Sequence, residues 1–292
     1  MSCRFVRIAV VIASLGGAGF ALGAPAAPSA PSAPSAPSAP AAPLAPAAPL
    51  APAAPLKVVA HYDLSITVDA SRSSEAATRV KAVKGAMSLL GGSVSAGTID
   101  DVVSISETAY TITSGGRANR ILAAVLGGDT LARRSEGAVG GGYLASQKFS
   151  ESRGSKRRLA VNTDYSKRTA TYFKNGRQTR VEAVNYRIAD SASMPYLFLR
   201  QPLPQAPITI AATDGNSTKE FIMKPSDDMV QIGKDQVAAV HLTREFRHGD
   251  DAALDLWLRR EDGMPLRLRV GLDEKYGVVL EQKLRELPPI AR

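Results

Sequence analysis

The chain has 292 residues, 36 Lys and Arg against 27 Asp and Glu, a formal charge of +9 at pH 7, and a single cysteine, Cys3. Residues 1–56 carry only Arg4 and Arg7 as charged side chains, so the basic excess belongs almost wholly to the remainder. One cysteine ahead of an apolar leader excludes a disulfide framework, a thiol nucleophile and a cysteine-ligated metal from the rest of the chain. The moderate basic balance suits anionic headgroups or polymers and is too diffuse to argue for nucleic acid.

Arg4 and Arg7 precede an apolar run from Ile8 to Leu22 that ends in Ala21-Leu22-Gly23. Charge, apolar stretch and small-residue exit in that order predict a secretory signal peptide over residues 1–23. The run is broken by Gly16, Gly17 and Gly19 and falls short of the roughly 20 residues of a spanning helix. A periplasmic protein that is not integral to the membrane after cleavage is therefore expected. Cys3 precedes the apolar run instead of following it, which argues against a lipid anchor. Residues 24–56 repeat APS and then AAPLAP. Proline at that density fixes φ and removes backbone donors, which predicts a disordered, polyproline-like spacer with no core of its own.

From His61 to Asp69 the apolar Tyr62, Leu64, Ile66 and Val68 alternate with polar residues, the period of a half-buried strand. Residues 70–100 give no single assignment, because Val80, Val83, Met87 and Leu90 have helical spacing interrupted by Gly85, Gly91 and Gly92. Alternation returns between Ile99 and Thr113. Arg117–Leu126 places Ala118, Ile121, Leu122, Val125 and Leu126 on one side before Gly127-Gly128, predicting a short amphipathic helix. Leu159–Val161, Thr169–Phe173 and Gln178–Ile188 read as strands, with Phe173 expected in the core and Asn175-Gly176 as a two-residue hairpin turn. Asp190-Ser191-Ala192-Ser193 caps an expected helix over Met194–Leu199, ended by Pro202. Ile208–Ala212, Glu220–Lys224, Met229–Ile232 and Val237–Phe246 add strands, with Asp214-Gly215 as a turn. Leu254, Leu256 and Leu258 face Leu266, Leu268 and Val270 across Arg260-Glu261-Asp262-Gly263, a hairpin that Val278–Leu284 extends into a meander. Strand follows strand without alternating helices, so the expected fold is mainly β. It is an antiparallel, strongly curved sheet or incomplete barrel with one to three short helices at its mouth or concave side, in one domain of residues 57–290.

These segments also carry a resemblance. Trp257-Leu258, a turn, Pro265-Leu266-Arg267 and the close Gly277, Leu280, Glu281 resemble the C-terminal signature of the exported bacterial family called domain of unknown function 3108. His61-Tyr62-Asp63-Leu64 is similar to its opening strand, Asp190 to Leu199-Arg200 to its central helix, and Asp214-Gly215 with Phe221 to its next hairpin. The chain departs from the family at Gly142-Tyr143-Leu144-Ala145, where members carry a Gly-Leu-x-Pro turn, and over Ala70–Val103. The resemblance implies export and a β-rich fold and supplies no catalytic residues.

Candidate chemistry is sparse. His61 and His241 fall on expected strands and His248 in a turn, without the spacing of a metal site. Asp227-Asp228 and Asp250-Asp251 are read as loop pairs whose side chains diverge. Gly140-Gly141-Gly142 lacks the Gly-Lys-Ser/Thr of a phosphate loop, and neither a Gly-x-Ser-x-Gly elbow nor a Ser-x-x-Lys pair occurs. No cofactor, no metal and no nucleic-acid partner is expected. The densest charge is Arg153, Lys156, Arg157, Arg158, Lys167, Arg168, Lys174, Arg177 and Arg180, with Asp164 the one acid among them. On alternating strands these residues read either as one solvated sheet face or as a docking face for an anionic lipid-like ligand or polymer. The expected function is an exported, non-enzymatic cell-envelope protein that binds an amphiphilic or lipid-like ligand or an envelope partner. Its alternative is a periplasmic scaffold that docks a protein or cell-wall polymer. A hydrolase is more remote and would require His241, Asp and Ser side chains converging in a cleft.

Overall fold

The computed structural model describes residues 55–68, 93–120, 123, 128–140, 143–155, 157–245, 253–273 and 277–289. The expected signal peptide, all but the last two residues of the expected spacer, most of the unassigned 70–100 segment, Lys156, His248 and Asp250-Asp251 lie outside them. The strands are β1 (Leu56–Val68), β2 (Ser93–Ile105), β3 (Ala109–Ala118), β4 (Thr130–Gly140), β5 (Tyr143–Arg153), β6 (Arg157–Asp164), β7 (Thr169–Lys174), β8 (Arg177–Ala183), β9 (Ala189–Asp190), β10 (Ile208–Thr213), β11 (Thr218–Ile232), β12 (Asp235–Arg244), β13 (Leu254–Arg259), β14 (Pro265–Asp273) and β15 (Val278–Leu284). They form one sheet in the order β8-β7-β6-β5-β4-β3-β2-β1-β15-β14-β13-β12-β11-β10-β9. Neighbours are antiparallel except for β9, which runs parallel to β10.

That order is the chain order wrapped into a cycle. The first strand pairs with the last, Tyr62 opposite Leu284 through Val68 opposite Val278, and the cycle is interrupted between β8 and β9. Curvature brings the β9 end back towards β5, where the Ser146 N–H donates to the Ile188 carbonyl at 2.8 Å. The Tyr165 hydroxyl bridges the same two residues, donating to the Ser146 carbonyl at 3.0 Å and accepting from the Ile188 N–H at 3.2 Å. The sheet is strongly curved and not closed into a barrel.

Strand alternation sets the core. In β1, residues 56, 58, 60, 62, 64 and 66 are buried while most of those between are exposed, as apolar residues at period two require. A turn of 3-10 helix, Met194–Tyr196, lies buried against this concave side. Val103, Ile112, Ile188, Met223, Leu242, Leu256, Leu258 and Leu266 have no accessible surface. A cavity large enough for water would give its lining accessible area, so the concave side is filled where these residues sit. Each such side chain contributes about 1.5–3 kcal/mol through burial.

A row of polar side chains crosses this interior. Asp101 of β2 stands opposite Ser114 of β3, Ser114 opposite Arg133 of β4, and Arg133 opposite Glu151 of β5. The Arg133 Nε donates to Glu151 Oε2 at 2.9 Å and the Arg153 Nε to Oε1 at 2.6 Å. At the other end Tyr196 donates its hydroxyl to Asp101 Oδ2 at 2.7 Å, and the Tyr62 hydroxyl lies 3.0 Å from that of Tyr196. Beside the row, Asp190 accepts the Ser135 hydroxyl and the N–H groups of Ala192 and Ser193. Burial raises the Asp101 and Asp190 carboxyls above the ordinary aspartate range despite these donors. Burial acts the same way on Glu151, but Arg133 and Arg153 outweigh it and hold that carboxyl below its ordinary range.

Several expectations change in detail. Arg117 and Ala118 belong to β3, because Arg117 pairs with both Thr98 and Thr130; of the expected helix the described part is a turn in which the Ala123 N–H donates to the Asn119 carbonyl. The Met194–Leu199 helix shortens to the 3-10 turn, with Asp190 bonding the turn before it. The strand expected over Gln178–Ile188 stops at Ala183. Glu220–Lys224 and Met229–Ile232 are one strand, β11, so Asp227 and Asp228 sit on a strand and not in a loop. Phe173 is half-buried on the side opposite Tyr172, and Tyr172 is the aromatic that enters the core. Leu56, assigned to the spacer, opens β1.

Candidate functional site

Antiparallel neighbours reverse direction, so the β5–β6 and β7–β8 turns lie at one end of the sheet and the β6–β7 turn at the other. Arg153 pairs with Arg157, and Lys174 with both Leu159 and Arg177. These four cations and Arg158 therefore gather at the first end. Lys167 and Arg168 stand at the opposite end, in the β6–β7 turn, and Arg180 lies within β8 opposite Tyr172. Directly opposed residues share a sheet face, so Arg157, Lys174, Arg177 and Arg180 point to the side of Leu159 and Tyr172 while Arg158 points away. The predicted cluster thus divides between two ends and two faces instead of forming one face. Hairpin reversal and a register shift between Tyr172 and Phe173 are the cause.

Neighbouring acids neutralise some of these charges. Arg153 is held by Glu151, Lys167 lies 3.2 Å from Asp164, and Arg180 pairs with Glu182. Arg180 also lies over the Tyr172 ring, 5.0 Å from its centroid. Arg157, Arg158, Lys174 and Arg177 have no acidic partner among the described residues, and the buried Arg157 Nε has no hydrogen-bond partner there. The turn between them is firmly set. Asn175 and Gly176 take φ of 51° and 78°, the positive pair that a two-residue hairpin turn with the strand's own twist demands. Asn175 accepts the Arg158 N–H on its side chain at 2.9 Å and donates its own N–H to the Arg158 carbonyl at 2.8 Å. The four cations are consequently displayed from a rigid double hairpin.

Where the cycle is interrupted, an open recess of about 370 Å³ is lined by Tyr165, Arg168, Val184, Asn185, Tyr186 and Arg187. Arg168 was among the predicted cations; Arg187 was not, since it follows β8 in a segment read as strand. Its place beside the recess comes from the chain leaving the sheet after Val184, whose N–H still donates to the Arg168 carbonyl at 2.8 Å. Arg133 and Glu151 were also missed. Glu151 shares strand parity with the core residue Phe149, which was a usable signal.

His241 sits on the outer face of β12 between Ser226 and Trp257. Its ring stacks on Trp257 with centroids 4.0 Å apart and planes 6° from parallel, and Arg267 covers the other side of the indole at 4.7 Å. His241 Nε2 lies 3.0 Å from Thr243 Oγ1 and 3.3 Å from Asp255 Oδ1, while Nδ1 is 3.9 Å from Asp228 Oδ2. Asp228 instead accepts the Trp257 indole N–H at 2.7 Å, which with the Met229 N–H holds its carboxyl below the usual range. A hydroxyl-to-carboxylate proton relay uses opposite ring nitrogens, and here the two short contacts fall on one. The arrangement orients Trp257 within the sheet face. His61 makes a separate exposed pair with Asp100 at 2.6 Å. Among the described residues no group of three or more His, Cys, Asp or Glu could hold a metal, and no helix is long and apolar enough to cross a membrane.

A family model described as "Protein of unknown function (DUF3108)" matches residues 85–283. No curated protein matches the chain. Among solved structures, the chain is similar to a beta-barrel-like protein of domain of unknown function DUF1849 from Brucella abortus. Identity is 11%, the TM-score is 0.48, and the match covers 81% of this chain and 98% of that one.

Proposed function

The chain belongs to the DUF3108 family of proteins of unknown function, and from that premise we propose an exported, non-enzymatic cell-envelope protein that holds anionic amphiphiles by their headgroups. The observation that carries this reading is the set Arg157, Arg158, Lys174 and Arg177 gathered at one sheet end without acidic partners among the described residues. Cations within a Debye length act together on an anionic surface, each adding about 1 kcal/mol. The concave side is filled where its fully buried residues sit among the described ones, which favours headgroup capture at the surface over enclosure of an acyl tail there. The leader and spacer read from residues 1–56 suit a domain held near an envelope surface.

The test uses the full chain with vesicles of anionic and of zwitterionic lipid at low salt. Cosedimentation with the anionic vesicles alone is expected, weakening as salt is raised and disappearing when Arg158, Lys174 and Arg177 are all replaced by Glu. No association with anionic vesicles at low salt would sink the reading. The second reading, a scaffold that docks protein, is favoured by a different feature, the exposed edge of β8.

A further inference from the structure

We propose that two copies of this chain join edge to edge through β8, antiparallel about a two-fold axis at Val181. The inference does not rest on the amphiphile reading. β8 opens the sheet order with β7 on one side and, among the described residues, no strand on the other. It is exposed along nearly its whole length, Val181 at 51%. The bond from the Val184 N–H to the Arg168 carbonyl marks those directly opposed residues as a hydrogen-bonded pair. Antiparallel ladders alternate, so Glu182 and Arg180 also bond to β7, while Val181 and Ala183 turn their N–H and C=O groups outward. Such a row of unpaired backbone groups is a template for another strand. The comparable stretch of β11, Lys224–Ile232, extends beyond β10 and is blunted by Pro225; β8 carries neither Pro nor Gly, and its one bulge, at Thr179, leaves the stretch from Arg180 to Ala183 in regular register.

The sequence of β8, RQTRVEA, selects its own copy as occupant. Centred on Val181, the antiparallel register sets Arg180 of each copy opposite Glu182 of the other, Val181 opposite Val181 and Thr179 opposite Ala183. Both charge pairs are then of opposite sign, which stabilises cross-strand neighbours. A register centred on residue 180 opposes two arginines, and one centred on residue 182 opposes two glutamates. Centring on 179 or 183 leaves both charges facing uncharged residues. Arg180 already lies over the Tyr172 ring and pairs with Glu182 of its own chain, so both charges stand on one face of β8, and the second copy would add the same two charges with each facing its opposite. The contact is isologous and closes on itself, giving a dimer and not a filament. One strand edge buries less than the ~1,200 Å² of a standard interface, so the dimer should depend on concentration.

Light scattering coupled to gel filtration over a concentration series of the full chain should show the mass rising from one copy to two. Arg180→Glu should hold the chain at one copy, and adding Glu182→Arg to that variant should restore the dimer. In a Cys3→Ser background, Val181→Cys should crosslink under mild oxidant, since a hydrogen-bonded antiparallel pair has Cα atoms about 5.5 Å apart, within disulfide reach. Val102→Cys, exposed on a strand with neighbours on both sides, should not. A chain that stays monomeric at every concentration with no Val181→Cys crosslink overturns the proposal. A dimer indifferent to Arg180→Glu overturns it equally, because another surface would then be responsible.

Discussion

Glu151 shows how far one side chain in this molecule depends on its neighbours. It is buried with the half-buried Arg133 and Arg153 bonded to its two oxygens, so losing its charge strands two cations. Glu151→Gln should lower unfolding free energy in urea by about 3 kcal/mol at neutral pH, the low end for breaking a buried ion pair. Its folded-state pKa lies below the unfolded one. The stabilisation is therefore complete above the ordinary glutamate range and is lost as pH falls through the lower folded value; the variant and the parent should converge there. Asp101 has the opposite sign. Burial raises its pKa in the folded state, so as pH rises past the ordinary aspartate range the unfolded chain ionises first and stability declines towards neutrality. Asp101→Asn should flatten that decline in a pH series of urea midpoints while keeping an acceptor for Tyr196. A steeper decline in the variant would contradict the assignment. Asp101 does not stand out in the sequence, and Glu151, between Ser150 and Ser152, is marked only by sharing strand parity with Phe149.

At the scale of single elements, the turns are more legible than the strand ends. Asn175-Gly176 and Asp262-Gly263 announce hairpins, and both occur. Their glycines differ in what surrounds them. A Cβ at Gly176 meets nothing within 4 Å, whereas one at Gly263 runs into the Phe198 carbonyl oxygen. Gly176→Ala should therefore cost about 1 kcal/mol, the price of a positive φ alone, and Gly263→Ala should cost clearly more in the same thermal melts. Equal costs would mean that the Phe198 segment moves freely out of the way. Val278–Leu284 matches β15 because period two and a flanking turn act together there. Pro225 explains why one strand looked like two. Proline removes a ladder donor and is tolerated at an edge, and β10 reaches only as far as Met223, so at Pro225 one side of β11 needs no bond. Arg117 and Ala118 read as helix for the converse reason: their strand partners, Gly97, Thr98 and Thr130, are distant in sequence and leave no local trace. The basic cluster was visible as composition, but its division between ends depends on hairpin reversal, which spacing alone does not reveal.

For the whole molecule, the pairing of β1 with β15 dominates. The cost of closing so long a loop grows with its length, and contacts far apart in sequence slow folding. The Arg285 N–H donates to the His61 carbonyl at 2.9 Å, carrying the ladder one pair beyond Leu284, so the two ends of the domain leave from neighbouring strands and a flexible linker can join residues 289 and 55. A circular permutant joined there and opened between Asn185 and Tyr186 makes chain order equal to sheet order. It should keep the parent's circular dichroism and refold at least about tenfold faster in stopped-flow experiments; an unchanged rate would place the slow step elsewhere. In the natural order the strand that β1 awaits is the last of the described strands to be synthesised. Until then the nascent half exposes raw backbone on both flanks, at β1 and at β8. Chaperone traffic during synthesis should therefore concentrate on β1, whose apolar side stays uncovered longest.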